Sequence, residues 1–146
     1  MADYFLDNPV SGVVVGDDGS DNARQAVEFA IGEAQRRDVP VHVIRVFSIA
    51  RAEWPTGLPM GVVPSVAELA AECRRRLAER WGDGVVVHAV HGPAAPVLLA
   101  AAEDADVLVV GAKGSGRIEG LLLGSVAQQV LRDAPGIVIR VAPSAR

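Results

Sequence analysis

The residues that decide the fold run from 105 to 134: "ADVLVVGAKGSGRIEGLLLGSVAQQVLRDA". A short apolar run, Val107 to Val110, meets glycines at 111, 114, 116, 120 and 124. Ser125 and a helix-like segment follow. Each glycine loses more backbone entropy on folding than alanine would, so this spacing marks a chain that must approach something closely. Backbone N–H groups in such a loop can turn inward and hold an anion. The start of the next helix adds further donors and a partial positive charge.

The same order of strand, turn and helix extends toward the N-terminus. "SGVVVGDDGS" is a buried strand ending in a turn, and "SDNARQAVEFAIGEAQRRDVP" has Ala23, Ala26, Val27, Ala30, Ile31 and Ala34 at helical spacing. Ser20 is placed to cap that helix, with Asp21 in its first turn, and Pro40 closes it. "VHVIRVF" is a second strand, and "VAELAAECRRRLAERWG" a second helix with Val66, Leu69, Ala70, Cys73 and Leu77 inward. "GVVVHAV" is a third strand, "HGPAAPVLLAAAEDA" a third helix opened by prolines, "DVLVV" a fourth strand and "GIVIRV" a fifth. Ser125 is expected to cap the fourth helix.

Strands that read as unbroken apolar runs and alternate with helices belong in a parallel sheet covered on both faces. The expected fold class is α/β: a single doubly wound, five-stranded parallel sheet in the order 3-2-1-4-5. In such sheets a ligand lies beyond the carboxyl ends of the strands, where the winding reverses. That point falls between strands one and four. It brings together the loop from Asp17 to Ser20 and the loop from Gly111 to Arg117.

Length and composition fit one domain over residues 1–146, with a flexible tail at 1–9 and a mobile loop at 48–64. That loop, around Trp54 and Pro55, reads equally as a lid, a partner-docking segment or a plain connection. Half the residues are hydrophobic, enough for a real core at this size. The net charge of −4, with arginine runs only on helix faces, argues against nucleic acid as a partner. No run approaches a membrane span, and the N-terminus is not a signal peptide, so the expected location is cytoplasmic. The single cysteine, Cys73, reads as core filler.

The glycine loop is neither a Walker loop, since no lysine follows a glycine at the required spacing, nor a dinucleotide fingerprint, since "GSGRIEG" is one residue too long and follows the wrong strand. A polyphosphate lying between the loop and the helix start would meet Lys113, Arg117, Ser115 and Ser125. Asp18 would repel phosphate and suits a ribose hydroxyl, the base or a bridging metal ion. On the residues alone, a glycine-rich crossover with no ligand stays open beside this reading. His42, His88 and His91 lie in or beside strands. Residues three apart on a strand face opposite ways, which argues against His88 and His91 as a metal pair.

Gly111-x2-Gly114-x9-Gly124-Ser125 resembles the signature of the universal stress protein family, in its nucleotide-binding branch. "VVVGDDGSDNARQAVEFA" resembles the family's opening strand, Gly-x-Asp-Gly-Ser turn and first helix, and residues 91–143 resemble its C-terminal half almost continuously. The resemblance implies a cytoplasmic homodimer that binds ATP, accompanied by magnesium or manganese, and acts as a sensor or regulator in stress physiology. It places Gly16 and Asp18 against the nucleoside and Val46 on adenine. Gly111, Ala112, Lys113, Gly114, Ser115, Gly116, Arg117, Gly124, Ser125 and Val126 wrap the ribose and phosphates. Cyclic AMP is the alternative ligand. No base stands beside the phosphate loop, so a binding module is expected over an enzyme. The alternative is a slow ATPase or self-phosphorylating protein, with Ser115 or Ser125 as acceptor. Strand five, Ile137 to Val141, is an apolar edge that invites pairing with its symmetry mate, and the resemblance implies the same surface for the dimer.

Overall fold

The computed structural model describes residues 10–113 and 124–144. Five strands, β1 (Val13–Gly16), β2 (Val41–Phe47), β3 (Val86–His91), β4 (Val107–Gly111) and β5 (Ile137–Val141), form one sheet in the order β3-β2-β1-β4-β5. Every neighbouring pair is parallel. Val13 stands in register with Val41 on one side and Val107 on the other, and Val107 with Ile137. The expected fold class and strand order are therefore observed.

Side chains alternate across each strand, so the central strands feed two cores. Val14, Ile44 and Leu108 face α3 (Ala94–Ala102) and α4 (Ser125–Asp133), packing on Val97, Leu98, Ala101 and Val130. Val13, Val15, Val43 and Val109 face α1 (Asp21–Arg37) and α2 (Val66–Trp81), packing on Ala26, Val27, Ala30 and Leu77. Val13, Val14 and Val15 are all fully buried, which explains the unbroken apolar run. Burying a side chain of this size stabilises by about 1.5–3 kcal/mol.

Ser20 caps α1 as its position suggests, accepting from the Ala23 N–H at 3.1 Å. Three other local readings are corrected. Asp38, not Pro40, ends α1: it adopts the left-handed conformation at φ 55° and its N–H returns to the last turn. Val66 is exposed, and the inward place on α2 goes instead to Glu72, whose carboxylate is held by Arg75 at 2.6 Å and Arg76 at 2.7 Å. Gly124, not Ser125, is the N-cap of α4, and Ser125 is the first helical residue. The segment 48–64 carries a one-turn 3-10 helix at Ile49–Arg51. The tail at 1–9 lies outside the described residues.

Candidate functional site

The winding reverses at β1 and β4, adjacent in the sheet's centre, and the exits of both strands meet there. At the first exit the two aspartates part ways. Asp17 is buried; one carboxylate oxygen accepts from the Gly19 N–H at 2.9 Å and the other from the Trp81 indole N–H at 3.1 Å. Arg45 completes its surroundings, 3.4 Å from the Asp17 carboxylate and donating to the Asp17 carbonyl. Asp18 is exposed, accepts from the Ser20 N–H at 2.9 Å and borders a cleft of about 500 Å3 together with Val46. Asp17 thus belongs to the framework and Asp18 to the cleft.

The turn leading into α1 is occupied by the chain's own acceptors. The N–H groups of Gly19, Ser20 and Ala23 already donate to Asp17, Asp18 and Ser20 oxygens. Two carboxylates also occupy the place where the helix dipole would favour a negative ligand.

At the second exit the chain leaves and returns at one point. The Ala112 N–H donates to the Val141 carbonyl at 3.0 Å, and the Ala112 carbonyl accepts from the Gly124 N–H at 2.6 Å. The expected loop residues Gly114, Ser115, Gly116 and Arg117 lie outside the described residues. Gly124 has no side chain to cap α4, Ser125 is exposed and Val126 packs half-buried on the α3–α4 core. Among the described residues no carboxylate is hydrogen-bonded at the N-cap of this helix, in contrast to α1.

Asn22, which the sequence reading passed over, ties the two exits together. Its side-chain oxygen accepts from the Lys113 N–H at 2.9 Å, and its amide donates to the Val141 carbonyl at 3.0 Å. Asn22 is buried, and it shares the stripe of Ala26, Ala30 and Ala34 at intervals of four. A polar residue on an apolar stripe was the available clue.

Two expected site glycines have structural reasons of their own. A Cβ on Gly111 would stand 3.1 Å from the Asn22 side-chain oxygen, and one on Gly16 would stand 3.0 Å from a Leu98 methyl. The histidines divide differently from the metal pair considered above. His88 is buried and His91 exposed, while His42 and His88 meet at 2.9 Å inside the sheet's core face. The Ser11 N–H lies 3.5 Å from His42 Nε2, and in the neutral pair one of His42 Nδ1 and His88 Nε2 donates to the other. Burial holds the His42 pKa below its ordinary value. Burial likewise pushes the Cys73 thiol up, which keeps it protonated and unreactive.

This architecture has relatives. Residues 11–141 match the model of the universal stress protein family. The chain belongs to that family. A universal stress protein of Mycobacterium tuberculosis is 35% identical over 144 residues, covering 90% of this chain and 48% of the relative. The chain therefore spans about half the length of that curated relative. Among solved structures, the universal stress protein UspA of Lactobacillus plantarum superposes with a TM-score of 0.69 at 18% identity, over 92% of this chain and 99% of that one. That likeness speaks for the universal stress protein fold. A universal stress protein solved in complex with cAMP has a TM-score of 0.58 at 27% identity, over 92% of this chain and 98% of that one.

Proposed function

We infer that this universal stress protein domain binds ATP at the reversal point of its sheet and acts as a nucleotide-dependent sensor or regulator, cytoplasmic and dimeric. The observation that carries the reading is the contrast between the two strand exits. One is filled by the chain's own carboxylates. The other brings the chain back to Ala112 at Gly124, a helix N-cap with no side chain of its own. Phosphates belong at the second, where backbone donors and the dipole of α4 favour them. Gly111 to Arg117, with Gly124, Ser125 and Val126, would hold them. The nucleoside belongs at the first, with a ribose hydroxyl donating to Asp18 and the base on Val46 beside Gly16. Among the described residues no three His, Cys, Asp or Glu side chains gather to hold a metal. Magnesium or manganese would thus enter bound to the nucleotide.

The second reading is a cyclic AMP sensor, favoured by the relative solved in complex with cAMP. Cyclic AMP has one phosphate and would use the ribose end more than Lys113 and Arg117. Calorimetric titration of the nucleotide-free protein with ATP and with cyclic AMP, each with and without magnesium, tests both. Tight ATP binding is expected. Heat only with cyclic AMP replaces the first reading with the second, and heat with neither removes both.

The binding role is favoured over turnover because the carboxylates near the cleft are either engaged in the framework or placed at the nucleoside end. A time course of ATP consumption by the purified protein, expected to stay at background, separates the two. Slow turnover, or label on Ser115 or Ser125, would make the domain a weak ATPase or self-phosphorylating protein. Dimerisation through β5 is supported by its place at the sheet edge, where Ile137 is 56% exposed. An unpaired apolar edge is stabilised by a second copy. A monomer by light scattering at micromolar concentration would remove that surface.

A further inference from the structure

The cleft bordered by Asp18 and Val46 is also lined by residues of α2 and of the one-turn helix Ile49–Arg51. Its floor is apolar, with Phe47, Leu69 and Leu77 buried there. Its wall carries four guanidinium groups from three separate elements: Arg45 of β2, Arg51 of the 3-10 turn, and Arg76 and Arg80 of α2. Among the described residues two carboxylates, Asp18 and Glu53, line the same space. This convergence stands out in a chain whose net charge is −4.

The four arginines are not equivalent. Arg45 is committed to Asp17, and Arg76 is held by Glu72 at 2.7 Å and Glu53 at 2.5 Å. Among the described residues no carboxylate pairs with Arg51 or Arg80. Arg80 lies over the Trp81 ring at 5.5 Å, which orients its guanidinium without neutralising it. The arginines of α2 do not share one environment. Arg75 is exposed and paired along the helix with Glu79, whereas Arg76 and Arg80 line the cavity.

We propose that this cavity is a second anion site, taking a phosphoryl group on the α2 side of the cleft through Arg51 and Arg80. Guanidinium is suited to this because its planar fork donates two parallel hydrogen bonds to phosphate oxygens. Arg76 and Arg45, each already balanced by acids, frame the space and keep it from collapsing. The phosphoryl group has two sources, free phosphate or a phosphate borne on the ribose of a nucleotide at Asp18. Neither source occupies the glycine loop, so the site goes beyond the ATP reading and stands on the cavity itself.

The test uses the full chain and the variant Arg51→Gln/Arg80→Gln, in which both changes are at exposed positions. Inorganic phosphate is titrated by phosphorus NMR. AMP and adenosine 3′,5′-bisphosphate are compared by calorimetry, and ATP is titrated alongside. The expected result is that the double variant loses about tenfold in affinity for inorganic phosphate or for the bisphosphate, about one decade of binding constant. Its affinity for ATP, which carries no phosphate on a ribose hydroxyl, should fall less than its affinity for inorganic phosphate or the bisphosphate. Loss for phosphate alone assigns the site to the free ion. Loss of a bisphosphate advantage over AMP assigns it to a ribose-borne phosphate, and that arm rests on the nucleotide reading. If wild type binds neither probe, or the variant binds both as well as wild type, the second site does not exist. Failure of ATP to bind while phosphate binds would sink the nucleotide reading and leave this one standing.

Discussion

The starts of α1 and α4 occupy equivalent places, each following a central strand of the same sheet and lying beside the other at the reversal point. Their chemistry is opposite. α1 is preceded by Asp17, Asp18 and Ser20, whose side chains take the N–H groups of Gly19, Ser20 and Ala23. α4 begins with Gly124, which takes up none with a side chain. Sheet topology supplies two helix starts, and residue identity decides which one remains open to an anion. The sharpest way to break this contrast is to make α4 resemble α1. Gly124 has φ −71° and ψ 161°, an extended conformation that any L-residue adopts at an N-cap. Gly124→Asp should therefore cap the helix and stabilise the protein by a few tenths of a kcal/mol, raising Tm by about one degree. The same carboxylate should lower ATP affinity by about a hundredfold, through repulsion and loss of donors to the phosphates. Thermal melting and calorimetry on one preparation would measure both. Unchanged ATP affinity in a more stable variant would mean that the phosphates lie elsewhere.

Asn22 joins the two regions, so its loss should be felt as stability before binding. Asn22→Ala leaves the Lys113 N–H without its partner and removes one of two donors to the Val141 carbonyl, which keeps the Ala112 N–H. A buried group left unsatisfied costs about 1–3 kcal/mol, so a loss of about 2 kcal/mol is expected in urea unfolding. Asn22→Asp keeps an acceptor for Lys113 and loses the donors to Val141 and Gln25, and should cost less. Equal losses in the two variants would show that Lys113 contributes nothing through this contact. The paired aspartates offer a smaller effect. Asp18→Ala should weaken ATP about tenfold with little change in stability, the worth of one hydrogen bond to a charged group. Asp17→Asn should do the reverse, since its carboxylate holds Trp81 and Arg45 inside the framework. If Asp17→Asn impaired binding more than Asp18→Ala, the roles of the two residues would be exchanged.

The fold was legible because the central strands are buried on both faces, and the sequence displays that as the runs at Val13–Val15 and Val107–Val110. Strand order followed from topology, which does not depend on the details of any side chain. The helix boundaries were less legible because capping is a contest among neighbours. Gly124 and Ser125 are both acceptable N-caps, and Asp38 in the left-handed region ended α1 before Pro40 was reached. Glycines were ambiguous for a different reason. Gly16 and Gly111 make room for Leu98 and Asn22 of the chain itself, a need that looks the same in sequence as room for a phosphate. The partners of Asp17 and the pairing of His42 with His88 join residues far apart in sequence. Those contacts required the strand register and the seating of α2, and no local spacing announces them.

The histidine pair gives the smallest predicted effect and the cleanest separation of stability from binding. His42 opens β2 in register with Val14 and Val86, toward the opposite end of the strands from the exits that form the site. Burial depresses its pKa in the folded protein below the ordinary value of 6.5. The unfolded chain therefore binds a proton near pH 6.5 that the folded chain refuses, and stability rises with pH in that range. As pH falls from about 6.5 toward 5, stability should decline by up to about 1.4 kcal/mol per pH unit for one such group. Glu33, Glu72 and Asp133 are held below their ordinary values by arginines, so their contributions disappear only at lower pH and do not obscure this window. Urea unfolding at about pH 7 and about pH 5 should show the loss, and His42→Gln should flatten it. At each pH the ATP affinity of the protein that remains folded should be the same in wild type and His42→Gln, because His42 lies at the far end of the strands from the exits. Stability that is flat between these two pH values would mean that the folded protein accepts the proton, and the neutral pair at 2.9 Å would have to be reassigned as a charged one.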